Sequence, residues 1–252
     1  MHSRDEWRLW IILTVAVVAV IGVLFLPPIP QDPAYHQFAD DRSVLGITNF
    51  WNVVTNIPFA VVGVFGLTRL SKIVALRSGY LVVCLGIVLV GVGSAYYHYG
   101  PSTPSLVWDR LPMTLVFMAL FSTIIEDRVS NRTGKVLLWP LIAVGAASVG
   151  YWYLSEIQGN GDLRLYGLVQ FLPMLLILLI LVFFQSGGLR TAFLWWTLIT
   201  YTLAKIAEHF DKWIYDMTGT ISGHSIKHLL ASLAILWIVL AFHGRTSVKS
   251  ES

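Results

Sequence analysis

The chain has 252 residues, of which 56% are hydrophobic and only 12% charged, and its mean hydropathy is +0.70. A soluble domain carries about twice that charged fraction, so the composition excludes a soluble globular enzyme, a disordered chain and a coiled coil. A formal net charge of +3 gives no reason to expect a nucleic acid partner, and a single cysteine, Cys84, allows no intrachain disulfide and no thiolate metal cluster.

What remains is an all-α polytopic membrane protein, read as a single membrane domain over 1–252. A spanning helix needs about 20 mostly apolar residues. That rule predicts eight spans, at 8–27, 49–70, 78–100, 107–126, 134–154, 163–185, 190–209 and 222–243. The first is apolar from Leu9 to Leu26 and is followed by Pro27, Pro28 and Pro30 with no small-residue cleavage site. It reads as a retained signal anchor added to a seven-span core over 49–243, with a polar tail at 244–252.

Basic residues set the orientation. Arg4, Arg8, Arg69, Lys72, Arg77, Arg128, Arg132, Lys135, Arg190, Arg245 and Lys249 all fall at alternate ends of the spans, 11 of the 17 Lys and Arg, while 9 of the 14 acids fall at the other ends. Both termini are expected to be cytoplasmic. Trp51, Trp108, Trp152 and Trp213 mark the outer interface.

Ionisable residues inside a membrane are costly and so are functional candidates. Ser94 and His98 close the third span, four apart and on one helix face about 6 Å from each other. Asp109 opens the fourth. His224 and His228, again four apart, open the eighth. The topology brings all five to one level in the outer half of the bilayer. Three neutral imidazoles with an open fourth position are the donor set of a catalytic zinc site. Zinc would lower the pKa of its water from about 15.7 towards about 7. Asp109 would take that water's proton or fix a histidine tautomer, and Ser94 would donate to a developing oxyanion or to the water. A proton or metal transporter also needs such residues, but the inner halves of these spans, Leu81 to Val90 and Leu229 to Ala241, are nearly unbroken apolar sequence.

The segments GVGSAYYH (91–98), DRLPM (109–113) and SGHSIKHLLASLA (222–234) resemble the alkaline ceramidase family, and NFWNVVTNIPF (49–59) resembles its first-span motif. These are seven-span amidases in a wider superfamily with the progestin and adipoQ receptors. The resemblance implies that His98, His224 and His228 are zinc ligands and that Ser94 and Asp109 are catalytic. It implies hydrolysis of the amide of ceramide, or of a similar N-acylated lipid, to a sphingoid base and a fatty acid. The alternative is a sensor of the progestin and adipoQ receptor type with a structural zinc and no hydrolysis. The chain departs from the family in its extra first span. It also departs at the calcium-binding acidic segment, where Asn49 stands in the last position and only Asp32, Asp40 and Asp41 precede it, which speaks against a calcium site. Glu208, Asp211 and Asn52 are further candidates, for orienting a ligating histidine. Asn49, Asn52 and Asn56 make a polar stripe suited to interhelical hydrogen bonds, and Glu208 and Lys212 are spaced to pair.

Overall fold

The computed structural model describes residues 6–243. Arg4, Arg245, Lys249 and the polar tail at 244–252 lie outside the described residues. Among the described residues the fold is helical with no strand: α1 (Glu6–Phe25), α2 (Phe50–Val54), α3 (Ile57–Thr68), α4 (Arg77–Tyr99), α5 (Thr103–Arg128), α6 (Asn131–Ile157), α7 (Arg164–Phe183), α8 (Thr191–His209), α9 (Asp211–Thr218) and α10 (Gly223–Phe242). Among the described residues, seven segments are long and apolar enough to cross a membrane: α1, α2 with α3, α4, α5, α6, α7 and α10. α8 stands where an eighth span is expected and is 19 residues long. Its threonines, tryptophans and Tyr201, with Lys205 and Glu208, leave it less apolar than the others.

Two other elements differ from expectation. The second span is broken at Thr55 and Asn56 because Pro58 has no N–H to offer the Val54 carbonyl, so a new helix starts with proline in its first turn. After α8, residues 211–218 form a short helix rather than a plain loop, supported by Lys212 and Asp216 paired at 2.9 Å one turn apart. Gly219, at φ +63°, ends it.

The described residues fall into two compact units. In the first, up to Gln31 and over Phe117–Gly187, α1 packs on α7 and α7 on α6. Ile12 is the one fully buried residue of α1, and the rest of the helix is half-buried or exposed. The segment after it is tied down by polar contacts: Arg164 donates to the carbonyls of Leu24 and Leu26, the Leu163 N–H to Ile29, and the Gln31 N–H to Glu156. Arg164 is itself held by Asp162 at 2.8 Å.

The second unit comprises Asp32–Val116 and the residues from Gly188 on. Here α10 packs on α8 and α3, and α4 on α3 and α2. Two glycines permit the close approaches that assemble its outer end. A Cβ at Gly93 would strike the Trp108 carbonyl, the one that Pro112 cannot bond, so α4 and α5 touch beside Ser94. A Cβ at Gly223 would strike the Ala207 carbonyl and lie 2.7 Å from the Asp211 Cα, so α10 begins against the end of α8.

Candidate metal centre

Ser94 and His98 come from the last two turns of α4, Asp109 from the second turn of α5, and His224 and His228 from the first two turns of α10. All five are buried. The three histidines offer ligand nitrogens that lie within 4.8 Å of one another, and their rings meet pairwise with centroids 4.8 Å apart.

The His98 and His224 Nε2 atoms face each other at 3.3 Å. Two ligands of a tetrahedral zinc with bonds of about 2.05 Å stand about 3.3 Å apart, so this pair is already at ligand spacing. His228 is oriented by Thr55. The Thr55 hydroxyl gives its one proton to the Trp51 carbonyl at 2.6 Å, so it accepts from His228 Nδ1–H at 2.9 Å. The His228 Nε2 lone pair is thereby left free, and that atom is buried without a hydrogen-bond partner, as is His98 Nδ1. A buried polar atom left unpaired costs about 1–3 kcal/mol, and a shared cation would remove that cost at His228. The donor set fits a divalent metal that accepts imidazole.

Asp109 carries a hydrogen bond from Ser94, and Lys227 and Arg110 lie within electrostatic range of it. The backbone around the cluster is held with equal care. Asn49, in the left-handed conformation at φ 48°, turns the chain into α2 and donates to the His98 carbonyl at 2.9 Å. At the start of α10 the Ser222 hydroxyl accepts the Ser225 N–H and Asp211 accepts the His224 N–H at 2.7 Å. A carboxylate suits a helix N-terminus.

The further candidates take other roles. Asp211 holds the backbone of His224, not its ring. Asn52 accepts from Ser225 and donates to the Asp40 carbonyl. Glu208 does not pair with Lys212: one oxygen takes Lys227 and the other Lys205, both at 2.6 Å. Asp32 caps the turn at 33–36 and Asp40 is gripped by Arg42 at 2.7 Å, so two of the three acids considered for calcium already serve the loop. Sequence reading missed Thr55, although it lies among the asparagines of the polar stripe. It also missed Lys227, which stands beside His228 but finds its partner on α8.

Residues 33–36 complete the surroundings. His36 bonds the Tyr97 hydroxyl at 3.0 Å and the Thr103 hydroxyl at 3.2 Å. Burial, with the Arg110 guanidinium nearby, holds its imidazole below the ordinary value of 6.5. The unfolded chain therefore binds a proton that the folded chain does not, and stability is lost as pH falls below about 6.5. The other histidines contribute equally to a His36→Gln variant and to the wild type. The variant is expected to show a shallower loss of Tm on acidification, and parallel Tm–pH curves would rule His36 out.

The geometry above has a counterpart in family comparison: the model of the family described as Ceramidase matches residues 44–251. The chain belongs to the ceramidase family. No curated protein matches it by sequence. Family membership makes this ceramidase-family chain a candidate hydrolase of lipid amides, and the match takes in every histidine of the cluster, Ser94 and Asp109.

Proposed function

We propose that the chain is a zinc-dependent membrane amidase that hydrolyses the N-acyl bond of ceramide or a similar lipid. The observation that carries this reading is the convergence of three buried imidazoles on one point beside a hydrogen-bonded Ser94–Asp109 pair. His98, His224 and His228 would hold the ion, which when bound supplies a Lewis acid for the amide carbonyl and an acidified water.

Asp109 accepts the proton that water loses in attacking the acyl carbon, then returns it to the nitrogen as the C–N bond breaks. Water's oxygen ends on the fatty acid and its proton on the amine. Ser94 has one hydroxyl proton, and while it is given to Asp109 it is not available to an oxyanion. We therefore assign Ser94 to orienting the base. The lysine and arginine distribution supports cytoplasmic termini and a site in the outer half of the bilayer, with α1 as an added anchor to one membrane domain.

The test is release of fatty acid from ceramides and other N-acylated lipids by the purified protein. Chelation should abolish it and added zinc restore it. Zinc-loaded, folded protein that binds lipid yet releases no product would put the receptor reading ahead. Thr55→Val keeps the shape and removes the acceptor for His228 Nδ1. It is expected to weaken zinc affinity by about 10–100-fold, read by competition with a chelator, and unchanged affinity would free His228 of any dependence on Thr55.

A further inference from the structure

Residues 32–42 run over the histidine cluster as a strap. His36 is bonded to Tyr97 and Thr103, the Ala39 N–H to Asp211 at 3.1 Å, the Asp40 carbonyl to Asn52 at 3.1 Å, and Arg42 to the Thr220 carbonyl at 2.7 Å. These fastenings bracket Phe38. Its ring lies against His98 and His224 with centroids 4.7 and 4.8 Å away. Phe38 is only half-buried, and Gln37 beside it and Asp32 and Asp41 towards the two ends of the strap are exposed and polar, so the ring stands between the two ligands and the strap's exposed side. A phenyl group can neither ligate nor transfer a proton, and the strap precedes the residues matched by the family model, 44–251.

We infer that Phe38 is the specificity-determining cover of the site: it bars water-borne molecules from the metal ligands, so that the substrates taken are acyl amides dissolved in the bilayer. The inference rests on the metal-hydrolase reading and deepens it. An apolar shell of this kind controls solvent access to a metal. Removing the ring opens a path from water to His98 and His224 while leaving every ligand in place. Loosening the strap elsewhere does the same with the ring still present.

The test uses zinc-loaded full-length protein in detergent and follows zinc transfer to an excess of a chromogenic chelator. Phe38→Ala is expected to release zinc about 10-fold faster than wild type, and Phe38→Leu, which refills most of the volume, to stay close to wild type. Arg42→Ala, distant from the histidines, should shift release in the same direction, which keeps the test alive if Phe38→Ala fails to fold. In parallel, Phe38→Ala should raise hydrolysis of a short-chain, water-soluble N-acyl amide relative to a long-chain one. Wild-type release rates in both Phe38→Ala and Arg42→Ala would overturn the cover and leave the metal centre standing. A folded wild type that takes up no zinc would overturn both.

Discussion

Replacing His224 with alanine is expected to remove zinc and activity together. Wild type purified in detergent should carry about one zinc per chain, as three protein ligands and one open position imply. In the variant two imidazoles remain, and the Nε2 pair at 3.3 Å between His98 and His224 is gone. The loss should also appear in stability. Zinc at 100 times its Kd adds about 2.7 kcal/mol to a protein that binds it only when folded, so wild-type Tm should rise with zinc and the variant's should not. Zinc retained at wild-type stoichiometry by folded His224→Ala would place the ion elsewhere and remove the basis of the proposed chemistry.

Asp109→Asn is expected to lose turnover and keep the metal. Asparagine preserves size and can still accept from Ser94, but it cannot take a proton. A positioned general base contributes about 10²–10⁴-fold, so kcat should fall by that factor while zinc content and fold stay as in wild type. The contrast with His224→Ala is informative because the two defects separate chemistry from metal retention. Full turnover by Asp109→Asn would eliminate the general base and leave Asp109 as an orienting group. Loss of zinc would instead tie Asp109 to the ligands themselves.

Much of this arrangement was legible in the chain because membrane helices write their rules in one dimension. The apolar runs located the helices to within a few residues, and four-residue spacing put Ser94 with His98 and His224 with His228. The break at Thr55 was also written, in Pro58, but a 20-residue apolar window passes over a single proline. Long-range partners were not readable. Glu208 meets Lys227 on another helix, while the spacing rule favours Lys212 on its own chain segment. The 32–42 strap has no period at all: its form comes from the His36 and Arg42 side chains that reach Tyr97 and Thr220, and from backbone groups of Ala39 and Asp40 met by Asp211 and Asn52. α8 shows the limit in the other direction: the same apolar-run rule takes 190–209 for a span, yet the helix there is less apolar than the seven segments apolar enough to cross a membrane.

The polar clasp that follows α1 also dictates an order of events during synthesis. The carbonyls of Leu24 and Leu26 wait for a guanidinium 140 and 138 residues further along the chain. At a translation rate of about 5–20 residues per second, that interval is about 7–28 s. For all that time α1 has emerged without the arginine that fastens its trailing loop, and water or lipid head groups must serve those carbonyls in its stead. The first helix to be made is thus fastened only after α2 to α6 have been synthesised, and its docking reports that the ribosome has passed residue 164.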